Sequence, residues 1–289
     1  LLADLDAGLV AAAAEVLRFR HEPLGEAIPV LLASDDPFIR ALGLRALPGE
    51  PGSPRHIRAV RAALTGDDSI IVDAAIDAGI FLATDPAWGR ARARASEPDG
   101  ARAMLLLALR GDAEDRVMLV DALKRPRLRS NALVALGYIG APEVIDASLE
   151  WLEEPKSGPL VGEMLTAMTG VDLDDSGLTA PAAEDDEALE HAPEDDLPRP
   201  DPMPVFQWWL RHRPKFCDGQ RYLAGRLRTP TDILDALAHG PMRRRPALVV
   251  DLQLHAPRGA NVRLQPRAPT ARQRVELAEL GRAVRATNP

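Results

Sequence analysis

A single cysteine, Cys217, is all the chain holds. That excludes an internal disulfide and suits a reducing, cytoplasmic setting. Aromatic residues are scarce at 4% and β-branched runs are few, while alanine, leucine and arginine dominate. This bias favours helices, because alanine and leucine lose little side-chain entropy there. No apolar stretch approaches the roughly 20 residues that span a bilayer, so no membrane-crossing helix is expected. The opening "LLADLDAGLVAAAAEVLRF" carries Asp4, Asp6 and Glu15, lacks a basic start and spaces its leucines helically, so it reads as an amphipathic helix where a secretory leader could be suspected. Leu1 stands where an initiator Met would be, which reads as a fragment or a trimmed start.

Catalytic signatures are missing as well. The six histidines form no HxxxH, HExxH or mixed Cys/His spacing, so no zinc site is expected. There is no GxSxG, no GxxxxGK[ST] and no GxGxxG. Cys217 lies beside Asp218, whose carboxylate disfavours a thiolate. One half-match to a calcium loop exists in "TGVDLDDSGL", with Asp172, Asp174, Ser176 and Gly177 in ligand order. Counting from Asp172, an EF-hand needs an apolar residue where Thr179 stands and a bidentate Glu where Ala183 stands. The stretch therefore reads as a boundary, and no catalytic residue, cofactor or metal is assigned.

What is present is a repeat. Units beginning at Pro37, Ser69, Pro98, Pro126 and Pro155 each run through an apolar helix to Gly or Pro. Their spacing of about 28–32 residues points to stacked helical hairpins. Asp35, Asp36, Asp67 and Asp68 precede helix starts, where free N–H groups and the helix dipole favour acids. Gly137 and Gly140 close the fourth unit. Shorter helices, at 56–64 and 143–152, pair with the longer ones. A lone hairpin cannot bury its apolar face, so the units must stack. The fold expected is all-α: an α-solenoid of HEAT-like helical hairpins over 1–171, with a small, mostly helical C-terminal module over 202–289.

Between them, residues 172–201 hold twelve acids against Arg199, a net of −11 in a chain of net −8. Too few apolar residues remain there to offset the entropy of ordering, so a mobile or draped linker is expected. A polyanion-like docking tail is the alternative. After it, Val205, Phe206, Trp208, Trp209 and Phe216 cluster within a dozen residues, flanked by Arg211, Arg213 and Lys215. This is either a staple fixing the module to the last repeat or an interaction hot spot. Thr229 or Thr231 caps a helix reaching about His239, and a second helix follows over 242–254 despite Pro246. "VRLQPRAP" reads as a strand or extended segment before a last polar amphipathic helix to about Arg285.

"NALVALGYIGAPEVIDASLEWL" resembles the bacterial HEAT-like repeats named after phycobilisome lyases. "LVGEMLTAMTGVDL", "DLPRPDPMPVFQWWL", "GQRYLAGR" and "RRRPALVVDLQL", in that order, resemble an uncharacterised bacterial family of HEAT-like-repeat proteins often encoded near type VI secretion genes. The resemblance covers about residues 130–255 and implies no catalytic residues. It implies a non-enzymatic scaffold whose partner is another protein, a secreted effector or secretion component, with the chain as adaptor, chaperone or immunity protein. Partner-binding residues expected from the aromatic and basic clusters are Trp208, Trp209, Arg211, Arg213, Arg243 and Arg244. Two rivals remain. The first, suggested by the repeats' name, is a bilin lyase or isomerase. The second is a nucleic-acid-binding protein, which is disfavoured: it needs a continuous basic stripe, and here "RARAR", "KRPRLR" and "RRR" are scattered in a chain of pI near 5.4.

Overall fold

The computed structural model describes residues 7–181, 196–255, 264–266 and 268–287. The fold is all-α: fifteen α-helices and one two-stranded hairpin among the described residues. Its contacts group the chain into two units, Leu1–Ala95 and Ser96–Pro289.

The first unit comprises α1 (Ala7–Phe19), α2 (Ala27–Ala33), α3 (Pro37–Ala46), α4 (Pro54–Leu64), α5 (Ser69–Phe81) and α6 (Asp85–Ala95). α3 packs on α2 and α5, and α5 on α4 and α6, so helices of successive hairpins stack. The second acid of each expected pair does the capping. The Asp36 carboxylate accepts from the Phe38 and Ile39 amides at 2.8 and 3.3 Å. Asp68 accepts from Ile70 and Ile71 at 3.0 and 3.1 Å. Each satisfies N–H groups that the helix itself leaves free.

The second unit opens with α7 (Ala101–Arg110), α8 (Ala113–Ala122), α9 (Pro126–Leu136), α10 (Pro142–Ser148) and α11 (Gly158–Thr169). α7, α9 and α11 pack in sequence, each long helix against the next, with α8 against α7 and α9 and α10 against α11. Gly170, in the left-handed region at φ 77°, ends α11. Leu173 and Leu178 then fold back into the core, and a single bridge pairs Thr179 with Pro200. The two ends of the acidic segment are thereby held side by side. Its centre, 182–195, nearly half of the expected linker, lies outside the described residues.

The remainder is α12 (Pro202–His212), a hairpin of β1 (Tyr222–Leu223) and β2 (Arg226–Leu227), α13 (Pro230–His239), α14 (Arg245–His255) and α15 (Thr270–Thr287). Of the two threonines considered, Thr229 caps α13, in a reciprocal box with Asp232. Pro246 does not interrupt a helix. A 3₁₀ turn occupies 242–244 and α14 starts at Arg245, so the proline falls on the first turn, where no N–H partner is lost. Residues 264–266, 268 and 269 are not in a strand, while 262, 263 and 267 lie outside the described residues. Leu223, Ile233, Leu237, Leu248, Leu252 and Leu280 make the module's own core. Ala247 of α14 packs separately against Leu109 and Tyr138 of the repeats.

Candidate functional site

The C-terminal ends of α7, α9 and α11 lie along one edge of the second unit, where one hairpin and three arginines reach them. The last carbonyls of an α-helix have no partner within it and carry the negative end of the helix dipole. Here the module supplies the donors. The Tyr222 amide donates to the Gly140 carbonyl at 2.7 Å, and the Ala224 and Gly225 amides donate to Ala167 and Met168 at 2.9 and 2.8 Å. The Arg221 guanidinium donates to four carbonyls: Ile139 and Leu109 at 2.9 Å, Tyr138 at 3.1 Å and Ala108 at 3.3 Å. Gly140, at φ 69°, lies directly against the Tyr222 carbonyl, so a side chain there is excluded.

Two ion pairs complete this seam. Arg228 donates to the Tyr138 carbonyl and to Asp251, whose side chain is fully buried. His255 Nδ1 lies 2.9 Å from the Asp251 carbonyl and 3.2 Å from its Oδ1. The longer contact misses hydrogen-bond alignment, so it acts as an electrostatic one. Burial alone would raise the Asp251 carboxyl; contact with His255 and the charge of Arg228 override it and hold it below the ordinary carboxylate range. Arg244 grips Glu163 of α11 with one nitrogen, at 2.7 and 2.8 Å to its two oxygens, and the Gly137 carbonyl with another at 2.7 Å. Its guanidinium also covers the Tyr138 ring, 4.3 Å from the centroid. Burial, then the like charge of Arg228, pushes Arg221 down to about 10, which leaves it protonated near neutrality.

Between these groups Gly137, Tyr138, Tyr222, Arg228 and Arg244 line a crevice with room for about one water molecule. Substrate pockets are far larger. The seam's chemistry is that of a joint, in which guanidinium forks satisfy helix ends.

A second anchor holds α12. Trp209, 1% exposed, donates its indole N–H to Asp146 of α10 at 2.7 Å. Arg213 takes the other oxygen of Asp146 at 2.8 Å and also pairs with Asp218. The Trp209 ring stacks on Phe216, which meets Tyr222 edge-on. Of the six residues expected to bind a partner, Trp209, Arg213 and Arg244 are therefore engaged internally. Trp208 is half-buried and stacks on His212 at 4.0 Å. Arg211 is exposed, and Arg243 is exposed 3.6 Å from Glu163. The structure brings Trp208, Trp209, Arg211 and Arg213 together on one helix and its end, and places Arg243 and Arg244 at the separate α11 contact.

What that list lacked is the outward face of α12. Met203, Phe206 and Leu210 are 62%, 42% and 57% exposed. Their spacing puts them on one side of the helix, opposite Val205 and Trp209. The i, i+3, i+7 signal was present in the sequence, but the inward set is apolar too.

The basic clusters are partly spent inside the protein. Arg94 of "RARAR" is buried and donates to Asp73 at 2.9 Å. Arg129 of "KRPRLR" pairs with Glu154 and covers the Trp151 ring. Among the described residues no group of three or more His, Cys, Asp and Glu is placed to hold a metal ion. No described helix is long and apolar enough to cross a membrane. No protein-family model matches the chain, and no curated protein matches it either.

Proposed function

We propose that the chain is a non-enzymatic protein-binding scaffold and that the outward face of α12 is its contact surface. The observation that carries this reading is the pairing of an exposed stripe, Met203, Phe206 and Leu210, with an opposite face pinned by Trp209 and Arg213 to Asp146. Exposed apolar clusters beside arginine are the composition of interaction hot spots. A surface already held rigid loses little entropy on binding. The finer reading is an adaptor, chaperone or immunity protein for a type VI secretion effector, acting in the cytoplasm. Its support is the motif resemblance.

The four motifs that carry the resemblance supply Glu163, Trp209, Arg221, Arg244 and Asp251. These residues build the two anchors, while Met203, Phe206 and Leu210 on the outward face of α12 stay exposed. The test places a photo-cross-linking amino acid at Gln207, exposed on that face, in cells of the native host. A cross-linked effector or secretion component is expected with the wild-type chain and lost in Leu210→Glu, whose thermal unfolding is unchanged. Capture of the same protein at undiminished yield by Leu210→Glu and Phe206→Glu refutes the reading.

A further inference from the structure

Charge along α12 has a direction. Asp201 stands at its start, and no other Asp or Glu occurs from there to Cys217. The cations gather at the far end, as Arg211 and Lys215. Both are exposed and neither is paired with a carboxylate among the described residues, whereas Arg213 is taken up by Asp146 and Asp218. Between the two ends runs the apolar stripe, spaced for the side chains of a second helix.

We infer that the occupant of this face is an amphipathic helix of a partner protein, lying antiparallel to α12, with carboxylates in its first turn beside Arg211 and Lys215. Its apolar residues, at i, i+3/i+4 and i+7, pack over Met203, Phe206 and Leu210. The inference rests on the protein-binding reading above and adds the chemistry and polarity of what binds. Two physical arguments fix the polarity. Carboxylates in a helix's first turn are stabilised by its own dipole, so an acidic first turn is a preformed feature of many helices. Laid antiparallel, that turn meets the two cations and the helix dipoles oppose; laid parallel, it meets neither cation. A second copy of the chain is the weaker occupant. α12 carries no Asp or Glu after Asp201, and Asp201 falls on the Val205–Trp209 side, so a symmetry mate brings no carboxylate to Arg211 and Lys215.

The probes are two fluorescein-labelled amphipathic peptides of about 18 residues, identical in apolar pattern. One has glutamates in its first turn and lysines in its last, and the other has these exchanged. Anisotropy with the full chain is expected to show the acid-first peptide binding about tenfold tighter, with the preference falling as salt rises. The double variant Arg211→Glu/Lys215→Glu is expected to reverse the order, and Leu210→Glu to abolish both, with unfolding temperatures unchanged. Equal affinities, or no binding of either peptide, overturn the inference. So does a concentration-dependent dimer that Leu210→Glu dissociates in light scattering. If the Gln207 cross-link persists while peptide polarity has no effect, the inference fails and the protein-binding reading stands. If the cross-link is insensitive to Leu210→Glu, the reading itself fails.

Discussion

Arg221 is the residue on which the seam turns, and its replacement by Met isolates what the seam contributes. The methionine preserves most of the stem's length and apolar contact while removing every donor. Four carbonyls lose a bond. That of Tyr138 keeps Arg228, so Ala108, Leu109 and Ile139 are left without their module partner. An orphaned buried carbonyl costs about 1–3 kcal/mol. Release of a guanidinium from a site where burial already depresses its pKa offsets part of that sum. The net loss is expected at roughly 3–5 kcal/mol, or on the order of 10 °C in the second unit's unfolding temperature. Three of the four tryptophans, Trp151, Trp208 and Trp209, lie in that unit, so urea unfolding followed by tryptophan fluorescence reports it. Hydrogen exchange at the Tyr222, Ala224 and Gly225 amides should accelerate in step. A loss under about 1 kcal/mol with those amides equally protected refutes the reasoning, because water would then be serving the three carbonyls as well as the guanidinium does.

Gly140→Ala forces a side chain against the Tyr222 carbonyl at a left-handed φ of 69°, and should cost about 2–4 kcal/mol and release the hairpin, read by hydrogen exchange. Trp209→Phe removes the N–H bond to Asp146 and some ring volume but leaves Arg213 on that carboxylate, so a loss of about 1–3 kcal/mol in urea unfolding is expected. Asp251 has a folded pKa below its unfolded value, so its ionised form adds stability above about pH 4 that disappears as pH falls through the depressed value. The stability gap between the wild-type chain and Asp251→Asn should accordingly be full at neutral pH and shrink as pH falls below the ordinary carboxylate value of about 4; a gap that stays constant as pH falls through that range would sink the assignment. Met203→Ala and Leu210→Ala together should leave stability within about 0.5 kcal/mol in the same unfolding assay.

The repeat helices were legible because their signals are local. An acid before a helix start, a proline in the first turn and a run of alanine and leucine each act within a few residues, and Asp36 and Asp68 cap as that logic requires. The hairpin was not legible, since strands of two residues have no periodicity to read. Its turn places Ala224 and Gly225 at φ 49° and 79°, the double left-handed geometry of a tight hairpin, without the Asn-Gly or Asp-Gly that would announce it. The seam was invisible for another reason: Arg221 answers carbonyls more than 80 residues away, and nothing in "GQRYLAGR" states which helix ends need donors. The helix expected from 242 starts at Arg245, because a 3₁₀ turn takes up the three residues before it.

α12 shows where periodicity alone stops deciding. Both of its faces are apolar, so the sequence offers two burial choices, and a carboxylate on another hairpin selects between them. Asp146 can satisfy an indole N–H and a guanidinium together only if Trp209 and Arg213 turn inward, and that choice sends Met203, Phe206 and Leu210 outward. The inward set has a folding role that accounts for its residue types, since each side chain fills space or completes a bond in the anchor. Among the described residues the outward set has none: those side chains stay exposed, where polar residues would serve folding as well and solubility better. On the proposed reading, the apolar stripe serves a contact made outside the chain. The same anchor that exposes the stripe also holds it still, which removes part of the ordering entropy such a contact would otherwise have to overcome.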